Sequence, residues 1–511
     1  MRLAVITTHP IQYYAPLFRH LTQKKMRTLR PTAIIIGAGF SGICLGIHLK
    51  KKGIHDFVIL EKAQEVGGTW RENTYPGAEC DIPSALYSFS FEPYPDWEYK
   101  WSHQPQILDY LKYCAKKHDL YPHIRFGQTF QSARWDDATA CWQIRTEEGE
   151  AFESRHLIPA IGQLHHPSVP PFEGVNDFQG LNFHSAQWNH DISLKGKKIG
   201  VVGNAASAVQ FVPQIAKEAA QVTVFQRSAN WMLPKQDRLY KEWEKALVRR
   251  FPVLLKIYRN RIYLLAGGLF FLMKGGNKIL RKFYQKKTEN YIRQHIKDEA
   301  TVQKLLPTYP MGAKRILFSD DYYEALARPN VQLETASIER ITPQGIQTNQ
   351  KEYAFDLIIY STGFKTNPFL LGLELIGKEG RSIQEAWKDG PINYFGMTVS
   401  GFPNLYMMYG PNTNLGHNSI ILMIEAQTRY IIECIEQVQQ QNWKSIDTKA
   451  SAMQAYHKRI QERLRNMVWS QIKGSWYQSA NGNIPNNWPG RTMEYARVTK
   501  RVNWADFQVE R

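Results

Sequence analysis

Two glycine-rich turns carry the first chemical signal. Gly37-Ala38-Gly39-Phe40-Ser41-Gly42 follows an apolar, β-branched run at residues 32–36 and opens a helical pattern to about Lys51. A second strand pattern, Phe57 to Leu60, ends in Glu61. In such a unit the first glycine (Gly37) permits a tight bend. The second (Gly39) lets the backbone approach a pyrophosphate, and the third (Gly42) lets helix and strand pack closely. The phosphate rests on the free N–H groups and positive dipole of the helix N-terminus. Glu61 would accept hydrogen bonds from ribose hydroxyls and repel a 2′-phosphate, so the unit suits FAD or NAD. A second unit repeats the spacing. A strand at Ile199–Val202 leads into Gly203-Asn204-Ala205-Ala206-Ser207-Ala208, a helix to about Ala219, a strand at Val222–Phe225, and Arg227 where the first unit has Glu61. A guanidinium there pairs with a phosphate and suits NADP. Ala205 replaces the second glycine, and its methyl is expected to weaken the binding.

The chain around these turns has 511 residues and is 43% hydrophobic, which allows about three domains with packed cores. No apolar run approaches the ~20 residues of a membrane span. Near the start only Leu3–Ile6 is continuously apolar, too short for a secretory leader. The five cysteines are scattered and form no C-x-x-C pair, so neither a disulfide framework nor a zinc site is expected, and reduced thiols fit a cytoplasmic protein. Residues 1–28 read as a detached strand and helix. They resemble the opening unit of certain glycosyltransferases with nothing after it to complete that fold, and no role is assigned to them. The net charge of +18 is concentrated: Lys235 to Ala300 holds 17 Lys/Arg against 6 Asp/Glu. Within it, the apolar run Ile262–Met273 is flanked by basic residues over positions 249–282. It reads either as an interfacial helix on anionic lipid, a peripheral membrane contact, or as a buried helix of an inserted subdomain with a solvated basic rim. No nucleic-acid-binding motif accompanies the charge.

Two further motifs make a family resemblance specific. Gly67-Gly68-Thr69-Trp70, followed by Tyr75-Pro76-Gly77 and Asp81, resembles the first signature of Baeyer–Villiger monooxygenases. Phe178, Gly180, His184 and Trp188 match the second, with Asn189 replacing its usual Pro or Asp. Tyr309 through Arg315 is similar to the family's Lys-Arg segment. Asp356 through Phe364 is similar to its Ala-Thr-Gly-Phe strand, with Ser361 in place of alanine. Gly401 through Glu425 and Ser475-Trp476-Tyr477 also fit, so the likeness covers about residues 30 to 500.

The resemblance implies an α/β fold of two Rossmann-like dinucleotide-binding domains. An FAD domain of residues 29–185 and 352–511 is interrupted by an NADPH domain, 190–351, which carries a helical insert at 236–305. It implies an NADPH-dependent FAD monooxygenase that uses O2 to convert a ketone to an ester or lactone through a flavin C4a-peroxide. Arg315 falls at the catalytic arginine position and Asp81 at that of its orienting partner. Lys314, Arg227 and Ser228 fall where the NADPH 2′-phosphate is held. Gly203 and Ser207, and on the flavin side Thr69, Trp70, Asp81, Tyr87 and Ile420, fall at cofactor-binding positions. Gln163 and Trp476 fall on the nicotinamide or ribose side. His184 reads as a linker residue, and Trp70 and Trp188 as packing elements. Two other activities stay open: N- or S-oxygenation by a protonated flavin hydroperoxide, and a membrane-attached flavoprotein without competent oxygenation.

Overall fold

A computed structural model describes residues 29–366, 369–472 and 482–511. The N-terminal appendage and Trp476 lie outside the described residues. The first glycine turn joins the strand Ala33–Ile36 to the helix Phe40–Lys51. All four strand residues are buried, because the strand runs inside a parallel sheet between Phe57–Glu61 and His156–Pro159, with Ile124–Phe126 at the edge. A strand covered on both faces reads as an unbroken apolar run. The helix is covered too. Ile421–Gln440 packs along it in one core, where Thr428 reaches the Cys44 thiol at 3.5 Å. This contact folds the last third of the chain back onto the first unit.

The second turn joins Lys198–Val202 to the helix Ala206–Ile215. The helix stops short of Ala219 because the amides of Lys217 and Glu218 bond to carbonyls three residues back and tighten the chain into a turn. The sheet here is five-stranded and parallel. Its order is Val331–Glu334, Gln221–Phe225, Lys198–Val202, Leu357–Tyr360, Leu181–His184. This corrects the expected boundaries at 185 and 352. Leu181–His184 and Leu357–Tyr360, both expected in the first domain, complete the second sheet. Every residue of Leu357–Tyr360 is buried, so its backbone groups need a partner strand on each side. The apolar run showed a central strand but not which sheet it would enter.

The same device builds both turns. Gly37 has φ +103°, and a Cβ there would stand 2.9 Å from the Ala160 carbonyl oxygen. Gly203 has φ +105°, and its Cβ would fall 2.4 Å from the Ser361 carbonyl oxygen. A Cβ on Gly42 would lie 2.0 Å from the Gly37 oxygen, so only glycine lets that helix approach its own turn.

The basic segment forms the helices Glu242–Arg250, Pro252–Gly268, Phe270–Met273, Lys278–His295 and Glu299–Leu305. Leu255 and Ile262 pack on Ala85 and Leu86 of the first domain. Cys44, Cys80, Cys114 and Cys434 are buried and Cys141 is half-buried, and all five are free thiols. No helix among the described residues is long and apolar enough to cross a membrane.

Gly203→Ala combines a disfavoured φ with a backbone clash. It is expected to cost about 2 kcal/mol or more of stability in urea melts. An unchanged midpoint would show that the turn relaxes freely.

Candidate active site

The first cradle is a gap between two backbone turns. A Cβ on Gly39 would meet nothing nearer than Gly68 Cα, at 3.7 Å. Gly68, at φ +54°, leads into the short helix Thr69–Glu72, which places Thr69 exposed at the rim. No side chain caps the helix that begins at Phe40, so its first N–H groups are left for a ligand. This is a space a pyrophosphate fits. Glu61 is buried, and its carboxylate already has partners: Oε2 accepts from the Ala38 amide at 2.9 Å, and Oε1 from the Ala63 amide at 3.0 Å and from Arg71 at 3.1 Å. A ribose hydroxyl would share Oε2, which has a lone pair to spare. Beyond the cradle, Trp70 Nε1 donates to the Tyr87 hydroxyl at 3.1 Å, and the Tyr87 ring meets Phe40 edge-on. Burial raises the Tyr87 phenol well above its ordinary range, so it stays neutral. Gln163, also buried, donates to the Tyr409 carbonyl at 3.1 Å. Ile420 stands just before the helix Ile421–Gln440, packed against the same core.

The second cradle repeats the first in backbone detail. Gly39 has φ −84° and ψ −166°, and Ala205 has φ −83° and ψ −164°. Any L-residue adopts this conformation, so alanine costs no strain here, and the Ala205 methyl is exposed rather than packed. Ser207 follows in the first turn of the helix. Asn204 secures the loop by donating to Gln226 Oε1 at 2.8 Å and to the Ser228 carbonyl at 3.1 Å. Past the next strand, Lys314 Nζ donates to Ser228 Oγ at 2.8 Å. Burial and the nearby Arg227 guanidinium lower the Lys314 pKa. Among the described residues no carboxylate forms an ion pair with Arg227 or Lys314. Two cations and a hydroxyl without a counter-charge suit a phosphate.

Lys314 and Arg315 are adjacent in the chain but bond to opposite domains: Lys314 turns to Ser228 at the second cradle and Arg315 to Asp81 of the first domain. Arg315 grips Asp81 through two parallel bonds, Nε to Oδ2 at 2.7 Å and Nη2 to Oδ1 at 2.5 Å. Burial alone would raise the Asp81 pKa. The Arg315 and Lys235 charges more than offset it and hold the carboxyl below its usual range. Two residues earlier, Glu79 pairs with Lys235, which is only 4% exposed. Burial pushes Glu79 up to about 7 despite that partner. The loop is also tied to the second helix. Tyr75 donates to Gln210 Oε1 at 2.9 Å, and Gln210 Nε2 donates to the Glu79 carbonyl at 2.9 Å.

The expected residues thus gather in three groups: 37, 39, 42, 61 and 69 at one cradle, 203, 207, 227, 228 and 314 at the other, and 81 with 315 between. Trp70, Tyr87, Gln163 and Ile420 stand beyond the first cradle. His184 is buried, its Nδ1 accepts from the Ala186 amide at 3.1 Å, and burial lowers its pKa, which fits a neutral linker residue. Trp188 packs between Phe183 and Phe211. Asn204, Gln210 and Lys235 escaped the sequence reading. Each is an ordinary polar residue whose partner lies far along the chain, so no local pattern marks it.

The pyridine nucleotide-disulphide oxidoreductase family matches residues 34–251. The chain is 37% identical to a Baeyer–Villiger monooxygenase of Pseudomonas aeruginosa, over 97% of this chain and 96% of that protein. It is 38% identical to one of Streptomyces coelicolor, over 93% and 92%. Among solved structures, a steroid monooxygenase bound to NADP shares 27% identity at a TM-score of 0.82, covering 94% of this chain and 99% of that one. A closed cyclohexanone monooxygenase shares 26% at 0.84, with the same coverage. The chain belongs to the Baeyer–Villiger monooxygenase family.

Lys235→Met would leave Glu79 buried without its cation. A carboxyl whose folded pKa is raised favours folding below its ordinary pKa, and that contribution is lost as pH rises through the folded value. The variant is therefore expected to be close to wild type at pH 5 and to fall about 1 kcal/mol below it by pH 8. Urea melts across that range check this, and a deficit that does not change with pH would refute it.

Proposed function

We propose that the chain oxygenates ketones to esters or lactones, with the Arg315–Asp81 pair at the reacting centre. The observation that carries the reading is the place of that pair, a fixed guanidinium between a pyrophosphate cradle and a cationic pocket. The enzyme is an NADPH-dependent FAD monooxygenase. When bound, the flavin takes hydride from NADPH and supplies activated oxygen to the carbonyl.

The chain's own residues do the rest. Gly39 and the helix N-terminus behind it hold the FAD pyrophosphate, and Glu61 receives a ribose hydroxyl. Thr69, Trp70 and Tyr87 border the flavin side, with Ile420 behind. Gly203 and Ser207 hold the second pyrophosphate. Arg227, Ser228 and Lys314 take the 2′-phosphate, and Gln163 faces the nicotinamide side. Arg315 stabilises the negative charge that develops on oxygen. A guanidinium keeps its proton where a lysine could lose it. Asp81 aims that guanidinium through two bonds, and its lowered pKa keeps it an acceptor at neutral pH. Heteroatom oxygenation needs a protonated oxidant, and a cation held by an ionised carboxylate favours the anionic one. The reading without oxygenation rests on Ala205 and on the basic, apolar insert; Ala205 has the backbone of Gly39, and the insert does not bear on oxygenation.

Arg315→Ala is expected to retain flavin and its reduction by NADPH but lose about 100- to 1000-fold in ester formation. Product analysis by mass spectrometry, with ketones, sulfides and amines offered together, checks both claims. Sulfoxides or N-oxides as the sole products would move the assignment to heteroatom oxygenation.

Arg227→Ala should raise KM for NADPH about 10- to 100-fold and leave KM for NADH nearly unchanged. Equal effects on the two would remove Arg227 from the 2′-phosphate. Ala205→Gly should change KM for NADPH by less than about tenfold, since it only clears an exposed methyl.

A further inference from the structure

The helical insert has two faces of different character. On its inner face Arg259 is buried and donates to the carbonyls of Ala85 at 2.8 Å, Leu86 at 3.2 Å and Ser88 at 2.9 Å, while Leu255 and Ile262 pack beside it. These positions, 255, 259 and 262, lie one helical turn apart and define the seated side of Pro252–Gly268. The opposite side is apolar as well. Val253, Ile257, Leu264 and Leu265 are between 58% and 68% exposed. In the next long helix Ile279 is 86% exposed and Phe283 64%. Of the twenty large apolar residues exposed among the described residues, eleven fall between Trp243 and Phe283. Scattered exposed apolar residues need no explanation, but such a concentration does.

The charges around it have one sign. From Lys245 to Thr288 the sequence contains twelve Lys/Arg and no Asp/Glu. Among the described residues no ion pair involves Arg250, Lys256, Arg261, Lys274, Lys278, Lys282, Lys286 or Lys287. All eight are exposed. A second copy of the chain would set this surface against its own like charge. A conventional protein partner would need an acidic rim matched to eight separate cations. A sheet of anionic headgroups over hydrocarbon meets both demands with no specific register: cations pair at the headgroups while apolar side chains enter the acyl boundary. Neither helix can span, so the contact is peripheral.

We propose that the outer face of the insert, carried by Pro252–Gly268 and Lys278–His295, docks the enzyme on an anionic lipid surface. The inner face stays seated on Ala85–Ser88, so docking requires no rearrangement of the two dinucleotide domains.

The test uses the FAD-loaded full chain and sedimentation with vesicles of phosphatidylcholine alone or mixed with phosphatidylglycerol. Sedimentation with the mixed vesicles, and release as salt is raised, is expected. Lys282→Glu with Lys286→Glu should weaken binding by about fivefold or more for each charge. Leu264→Glu with Leu265→Glu should abolish it. Retained flavin absorbance and NADPH oxidation in both variants would show that they fold. Failure of the wild-type enzyme to bind mixed vesicles would overturn the proposal, as would binding that ignores both double variants. Light scattering provides a further arm. A dimer lost in Leu264→Glu with Leu265→Glu, without vesicle binding, would overturn it in favour of a second copy on this face.

Discussion

The bidentate pair between Asp81 and Arg315 joins residues far apart in the sequence and spans the two halves of the molecule. Its partner pair, Glu79 with Lys235, runs alongside. Together they set the distance between the two dinucleotide cradles. A single part-exposed ion pair is a weak source of stability, because water screens most of the attraction. Its value here is orientation. Two parallel bonds hold a planar guanidinium in one attitude, and the Arg315 charge, helped by Lys235, keeps the Asp81 carboxylate ionised so that the bonds persist. Gln210 and Tyr75 add neutral bonds across the same seam.

Each cradle depends on a simpler constraint, the room left where a Cβ is missing. Gly37 and Gly203 share one positive φ and abut the end of a neighbouring strand. The second-glycine position is different. Gly39 and Ala205 adopt the same extended backbone, so glycine there is a matter of space above the loop and not of conformation. This distinction explains how one unit uses alanine without losing the geometry of the turn.

The insert shows the same chain serving two environments. Apolar residues on two sides of a helix are ordinarily both covered. Here Pro252–Gly268 buries one side on the first domain and leaves the other uncovered, with Arg259 ordering the seam through backbone carbonyls. Composition showed an apolar run inside a basic segment and left two readings open. Burial shows one side of the helix seated on the first domain and the other exposed.

Much of the fold was legible because it is local. Strand, glycine turn and helix follow one another within about 30 residues, and Glu61 or Arg227 stands at the end of the next strand. The Arg315–Asp81 assignment came from family resemblance, since spacing alone does not join residues so far apart. Tertiary structure decided the rest. It sent Leu181–His184 and Leu357–Tyr360 to the second sheet, since a buried strand takes whichever edge satisfies its backbone. It paired Lys235 with Glu79 across the domain seam and Asn204 with Gln226 within the second unit, choices that follow from packing. The sequence by itself determined the conformations the backbone can adopt at Gly37 and Gly203 and the charges at Glu61 and Arg227. Only the fold decided which distant groups those conformations bring within hydrogen-bonding reach, because short-range torsional preferences carry no record of long-range partners.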